Sequence, residues 1–211
     1  MLHYLLMQKI RKIKGISHKI TNWIQNCLTN RSQRVAVIGA LSTELPVSPG
    51  VPQGSVLGPT LFLIYINELP QAVSCNVSLY ADDTLLYSEV NSKQEKQLFQ
   101  MNINALYDWS TKWQMPFNTN KCEIIAFSDR TQADPRYMLA DNSLRYVHKA
   151  RYLGIQIKSN LRFDMHISKE IRDASKVHGC IKFTLHKALE KGKLLVYTSL
   201  CRLILEYGDP L

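Results

Sequence analysis

Two patterns in the sequence predict an α+β fold, and their order supports it. Apolar residues recur at helical spacing in several long segments, while short alternating runs come in pairs that bracket turn residues, as in "NVSLYADDTLLYSEV" (Asn76 to Val90). Helices, a hairpin, a helix, a second hairpin, a helix, short strands and further helices follow one another, without the regular alternation of a parallel α/β fold. The 211 residues, 45% of them hydrophobic, suffice for one globular core.

The elements follow in chain order. Leu6, Ile10 and Ile13 set a short amphipathic helix that Gly15 stops. Ser17 is placed to cap a second helix, with Ile20, Trp23, Ile24 and Cys27 facing inward. "QRVAVIGALSTELPV" alternates about Gly39 and reads as a hairpin. After the loop "SPGVPQGSVLGP", Pro59 opens "PTLFLIYINELP", which is apolar on every side and expected inside a core; Pro70 ends it. "NVSLYA" and "TLLYSEV" read as strands around Asp82 and Asp83, with Val77, Leu79, Ala81, Leu85 and Tyr87 sharing the inward face. Ser92 and Glu95 form a capping box for a helix that buries Leu98, Met101, Ala105, Leu106 and Trp109. "KCEIIAFS" reads as a strand and Asp141–Asn142 as a turn. "RYLGIQI" reads as one strand, in which Gly154 permits a bulge or a close backbone approach. From Asp164 helical spacing returns through Ile167, Ile171, Ala174, Val177, Ile181 and Leu185, with Lys169, Arg172, Lys176 and Lys182 off that face. A last helix is expected over Leu194 to Glu206.

The formal charge is +9, unevenly spread: Met1 to Arg34 hold Lys9, Arg11, Lys12, Lys14, Lys19, Arg31 and Arg34 and no acid. A surface for a polyanion carries such an excess, nucleic acid being the commonest partner. A solvated basic face accounts for it equally well. No apolar run is long enough to span a bilayer, and the longest, "TLFLIYI", has the length of a buried element. The N-terminus places its charges after its apolar residues, the reverse of a secretory signal, so an intracellular site, nucleus or cytoplasm, is expected, with no membrane. Five scattered cysteines without a Cys-x-x-Cys argue against a disulfide framework and a zinc site.

Asp82 and Asp83 carry the chemistry. Adjacent carboxylates repel, and aspartate is a common turn residue, so one reading is turn chemistry alone. The other is metal binding, since Mg2+ takes hard oxygen ligands and keeps several waters, so that two or three carboxylates suffice. The blocks "GVPQGSVLGP" before the pair and "FNTNKCEIIAF" and "ARYLGIQI" after it favour the second.

With "QGSVLGPTLFLIYINELP", "YADDTLLY", "DWSTKWQMPFNTNKCE" and "LILEY", these blocks resemble, in order and spacing, the reverse transcriptases of non-LTR retrotransposons (LINE-type, jockey-like elements), from His3 onward. The resemblance implies a right-hand polymerase palm, an antiparallel sheet packed on helices, over residues 1–160, and the start of a helical thumb or connection over 161–211. It implies copying of an RNA template into DNA from a DNA primer and deoxynucleoside triphosphates, by nucleotidyl transfer with two Mg2+ ions. By position, Asp82 resembles the metal-binding aspartate, with Asp83 its weaker partner. Tyr80 would pack near the primer end, and Gln53 and Gly54 would touch the incoming nucleotide and template. Lys121 would be a general acid for the leaving pyrophosphate, or else a surface lysine at a strand start. Tyr152, Leu153 and Gly154 resemble the primer grip, and the basic face after Asp164 would lie along the duplex.

The family carries a third carboxylate on an earlier palm strand, in a stretch of the form Asp-aromatic-x-Lys-Ala-Phe-Asp. Residues Met1 to Ala81 contain no Asp; their acids are Glu44 and Glu68. The expectation is a palm without fingers, first palm strand or first metal ligand, inactive alone, with an exposed strand edge. A non-catalytic basic RNA- or DNA-binding module derived from a retrotransposon is the alternative. A viral palm-type RNA polymerase is disfavoured by Ala81 before the aspartates and by the "QGSVLGP" loop.

Overall fold

The computed structural model describes residues 1–47, 50–127 and 136–208. In chain order come α1 (His3–Ile10), α2 (His18–Leu28), the two-residue strands β1 (Ser32–Gln33), β2 (Ala36–Val37), β3 (Ala40–Leu41) and β4 (Leu45–Pro46), and α3 (Leu57–Ile66). A 3-10 turn (Leu69–Ala72) leads to β5 (Asn76–Tyr80), β6 (Asp83–Tyr87) and the long α4 (Lys93–Lys112). A second 3-10 turn (Thr119–Lys121) precedes β7 (Glu123–Ile124), β8 (Met138–Leu139), β9 (Asn142–Ser143), β10 (Arg145–Tyr146), β11 (Lys149–Tyr152) and β12 (Ile155–Lys158). The chain ends in α5 (Asp164–Thr184), α6 (Glu190–Val196), a π-helical stretch (Tyr197–Arg202) and α7 (Leu203–Leu205). The α+β class holds. The single antiparallel sheet does not: the strands form six separate two-stranded ladders among the described residues, and β7–β10 is parallel. Among those residues no helix is long and apolar enough to cross a membrane.

The chain divides into two compact units, Met1–Asn120 with Pro135–Ser143, and Lys121–Asp134 with Leu144–Leu211. The core of the first unit joins α1, α2, α3 and the C-terminal half of α4, through Leu6, Ile10, Leu28, Leu61, Tyr65 and Trp109. Tyr65 and Trp113 meet edge to face at 5.9 Å, and the Tyr65 hydroxyl donates to the Trp113 carbonyl. Caps form as the sequence predicts: Ser17 Oγ accepts from Ile20 N, and Ser92 and Glu95 form the reciprocal box at the start of α4. Three backbone and side-chain donors around Asn91 and Ser92 hold the Glu95 carboxyl below the usual range.

The buried stripes are shifted from those expected. In α1, Ile13 lies beyond the helix and is exposed. In α2 the inward residues are Thr21, Ile24 and Leu28, while Ile20 and Trp23 are about half exposed. In α4, Leu98 and Met101 are exposed, and Asn102, Ile103, Leu106 and Trp109 are buried. In α5, Ile167 and Ile171 are exposed, and His166, Ala174 and Ile181 are buried. In α2, α4 and α5 the cause is shared: the stripe runs through buried polar residues (Thr21; Asn102 and Ser110; His166) that an apolar periodicity leaves out. The helix α3 begins two residues before Pro59, and Leu63 is exposed, so it is covered on most sides rather than all. The hairpin around Gly39 is present as two nested ladders, with Ile38 and Gly39 both at positive φ in the turn. The predicted strand at "KCEIIAFS" reduces to β7, and its last residue, Ser128, falls outside the described residues.

Lys9 also departs from expectation. The sequence places it on a basic surface, yet it is only 3% exposed. Its ammonium donates to the Tyr65 carbonyl, lies 3.2 Å from Glu68 and sits 3.7 Å above the Trp113 ring. Burial pushes its pKa below the ordinary lysine value despite Glu68.

Candidate active site

The hairpin β5–β6 pairs Asn76 with Tyr87 through to Tyr80 with Asp83. Only Ala81 and Asp82 form the turn, so Asp83 is a strand residue. A two-residue turn fixes which residues share a face: directly opposed residues project to the same side. Val77, Leu79, Thr84 and Leu86 therefore face one way, and three of them, Val77, Leu79 and Leu86, pack against the core. Leu85 and Tyr87 lie on the other face with Tyr80 and Asp83, which corrects the expectation that they continue the inward face. The error came from carrying alternation through the turn as if the chain ran straight.

The turn holds Ala81 at φ 51, the left-handed region where an alanine costs about 1–2 kcal/mol. Asp82 and Asp83 are exposed, and neither side chain has a hydrogen-bond or ion-pair partner among the described residues. The Thr84 hydroxyl beneath them is buried without a partner among those residues. At the other end the hairpin is pinned by Asn102. Its side-chain oxygen accepts from Ser74 N at 2.6 Å and Cys75 N at 3.3 Å, and its amide donates to Leu98 O at 2.9 Å. Asn102 thus sets where β5 begins. The only sequence signal was an asparagine beside an apolar helix stripe.

Gln53 and Gly54 form an exposed turn just before α3, with Gly54 at φ 74. Ser55 Oγ accepts from Gly58 N at 3.0 Å and donates to Pro52 O at 2.7 Å, which clips this turn to the helix. A Cβ on Gly58 would meet Pro52 O at 2.8 Å, so only glycine lets the turn lie this close. His3 Nε2 and Gly50 O, 2.7 Å apart, tie the preceding chain to α1.

Lys121, Tyr152, Leu153 and Gly154 belong to the second unit. Lys121 is exposed and ends a 3-10 turn. "RYLGIQI" is not one strand but the β11–β12 hairpin, turned at Leu153 and Gly154, both at positive φ. Leucine is not a turn residue by composition, which hid the turn. Tyr207 covers this tip: its hydroxyl donates to Leu153 O at 2.7 Å, and a Cβ on Gly154 would lie 2.9 Å from its ring. The hairpin is two-faced. Ala150, Tyr152, Ile155 and Ile157 project to one side, and Lys149, Arg151, Gln156 and Lys158 to the other.

The two aspartates offer the hard oxygen donors that Mg2+ takes. Among the described residues no three His, Cys, Asp or Glu side chains come together as a metal-holding group.

Comparison with known proteins places these motifs in a lineage. The family described as "Reverse transcriptase (RNA-dependent DNA polymerase)" matches residues 3–157. The chain belongs to this reverse transcriptase family. The reverse transcriptase segment is 30% identical over 154 residues to the RNA-directed DNA polymerase from mobile element jockey of Drosophila melanogaster, a match covering 69% of this chain and 17% of that protein. It is 27% identical over 162 residues to the jockey polymerase of Drosophila funebris, covering 72% and 18%. A retrovirus-related Pol polyprotein from the type-1 retrotransposable element R1 of Nasonia vitripennis is 26% identical over 159 residues, covering 71% and 47%. These relatives name non-LTR retrotransposons. The chain spans less than a fifth of the length of the two jockey polymerases it matches. The reverse transcriptase match gives the fold its palm-like class and spans Gln53, Gly54, the Tyr80–Asp83 hairpin tip, Lys121 and the Tyr152–Gly154 turn.

Proposed function

We propose that this chain is the template- and primer-handling part of a non-LTR reverse transcriptase, and that it does not complete nucleotidyl transfer by itself. In this reading Asp82 and Asp83 present carboxylates to the reacting end of a DNA primer on an RNA template. Tyr80, on the same face as Asp83, flanks that end. Gln53 and Gly54 meet the incoming deoxynucleoside triphosphate and the template, Lys121 serves its triphosphate, and the Tyr152–Gly154 turn grips the primer. Residues 1–160 act as palm and 161–211 as the start of the thumb. Divalent metal, which this polymerase family uses, would supply charge stabilisation at the transferring phosphoryl group, and Asp82 with Asp83 are the residues that would hold it.

One observation supports the reading above the others. The hairpin buries one face, through Val77, Leu79 and Leu86, and leaves two unpaired carboxylates at an exposed, strained tip. Turn chemistry alone does not call for the second aspartate, since Asp83 lies in β6 beyond the two-residue turn. Polymerisation by this chain alone is not expected, because residues Met1 to Ala81 hold no aspartate to match the third carboxylate that the family carries. Primer extension on an RNA template, read beside binding of the same template–primer hybrid, tests both parts. Binding without extension is the expected result. Failure to bind the hybrid would remove the reading. The alternative, a module kept only for its basic surface, predicts binding that ignores the primer terminus, so a hybrid and a blunt duplex of equal length would bind alike.

A further inference from the structure

A second charged surface lies in the second unit, away from the Leu153–Gly154 turn. Lys149 and Lys158 are directly opposed at the open end of the β11–β12 hairpin and project to the same face. Like charges in that position destabilise a strand pair. Asp164 offsets one of them, at 2.9 Å from Lys158, and that lysine holds the Asp164 carboxyl below its ordinary range. Lys149 has no ion-pair partner among the described residues. Two places further along the same face stands Arg151, opposite Gln156.

Lys149, Lys158 and Asp164 border two clefts of the same unit. One, of about 710 Å³, is lined by Arg145, His148, Lys149, Lys158, Ser159 and Asn160, among others. The other, of about 290 Å³, is lined by Gln156, Asp164, Ser168, Lys169 and Arg172, with Met165. The Lys158–Asp164 pair joins them, since Lys158 borders the first and Asp164 the second. Not every cation is free: Arg145 is paired with Glu123, which also lines the larger cleft, Lys158 with Asp164, and Lys169 with Glu170 and Asp173. The remaining excess, Lys149, Arg151 and Arg172, forms a track along the polar side of a hairpin whose other side is apolar.

We propose that this track binds successive phosphates of a nucleic-acid strand, with one phosphate between Lys149 and Lys158 at the larger cleft. An anion there relieves the repulsion that the opposed lysines otherwise carry. Ser159, Asn160 and Gln156 supply neutral donors to the same backbone, so contact is to phosphate and tolerant of sequence. The inference rests on the reading of the chain as a nucleic-acid-handling segment and assigns it a surface beyond the Tyr152–Gly154 turn.

Fluorescence anisotropy of the full chain with a labelled RNA–DNA hybrid, over a salt series, tests it. The variant carries Lys149→Gln with Lys158→Gln. A control carries Lys187→Gln with Lys191→Gln, two exposed lysines of the same unit outside both clefts. Each phosphate contact contributes about 0.7–0.9 to the log–log salt slope, so loss of the one contact between Lys149 and Lys158 should make the variant's slope shallower by about that amount. Over a fourfold rise in salt the wild type should then lose about 3-fold more affinity than the variant. The control should keep the wild-type slope, and Lys149→Arg, which keeps the charge, should bind as the wild type does where Lys149→Gln binds more weakly. Melting temperature separates contact from folding: Lys149→Gln alone should leave it unchanged or raise it. A variant that binds with the wild-type slope, a control that loses as much as the variant, or displacement of the hybrid by a deoxynucleoside triphosphate at equal phosphate concentration would each overturn the inference. A wild-type chain that binds no hybrid would instead remove the functional reading on which it rests.

Discussion

Replacing Lys9 by methionine keeps the stem and removes a buried charge. The ammonium it removes has three partners: the Tyr65 carbonyl, the Trp113 ring at 3.7 Å and Glu68 at 3.2 Å. A charge-assisted hydrogen bond contributes about 1.5–3 kcal/mol, and a desolvated cation over an indole about 2 kcal/mol. Glu68 is 45% exposed, so that pair adds about 0–1 kcal/mol. Against this sum stands the desolvation of an ammonium that is 3% exposed, itself several kcal/mol. The lowered pKa of Lys9 says that desolvation exceeds the partners. Lys9→Met should therefore leave stability unchanged or raise it, within about 2 kcal/mol. Lys9→Ala also loses the stem and should fall about 2–4 kcal/mol below the methionine variant. The pH dependence has a definite sign. Below its ordinary pKa but above its lowered folded one, Lys9 is protonated in the unfolded chain and neutral in the folded one. The unfolded state then binds more protons, and wild-type stability rises with pH through that window up to about 10.4. The methionine variant lacks this rise. Urea denaturation followed by tryptophan fluorescence, at neutral pH and in steps toward pH 10, measures both. A loss of more than 3 kcal/mol in Lys9→Met, or wild-type stability that falls relative to it as pH rises, would refute the reasoning.

Three further substitutions probe the geometry of the hairpins. Ala81→Gly should stabilise by roughly 0.5–1 kcal/mol, because relief of the left-handed strain exceeds the added freedom of the unfolded chain; equilibrium urea unfolding reads it. Gly154→Ala should cost about 1–3 kcal/mol, since its Cβ would lie 2.9 Å from both a ring carbon and the hydroxyl of Tyr207 at a backbone φ of 87, and Tyr207→Phe should leave most of that loss, because the ring contact and the φ remain. Asn102→Ala should cost about 1–3 kcal/mol and speed amide exchange at Ser74 and Cys75, whose N–H groups lose their acceptor.

The sequence made local signals legible. Ser17, and Ser92 with Glu95, announced their helices because a cap needs only residues three apart. The Asp82 hairpin was legible for a similar reason, since two apolar runs flank a polar joint. What depended on distant partners was not. Lys9 reads as surface charge until Tyr65, Trp109 and Trp113 surround it. Asn102 and His166 read as interruptions of a stripe until the chain closes over them. The β11–β12 turn was hidden because Leu153 adopts a conformation that its side chain disfavours, held there beside Tyr207 more than fifty residues away. The opposed lysines 149 and 158 followed from that same missed turn, as register alone brings them together. At the Asp82 hairpin the sequence placed the two aspartates at the joint of the strands, while the faces of β6 came out inverted until the turn length was known.

The central claim is that this reverse transcriptase segment holds a primed template without copying it. Single-nucleotide primer extension tests this most directly, using the purified chain, an RNA template with a labelled DNA primer, deoxynucleoside triphosphates and Mg2+, with retention of the hybrid recorded in the same reactions. The account predicts that the hybrid is retained and that the primer gains no nucleotide, with Asp82→Asn indistinguishable from wild type. Extension by the wild-type chain that Asp82→Asn abolishes would contradict it, showing that this chain assembles a working catalytic centre from its own residues.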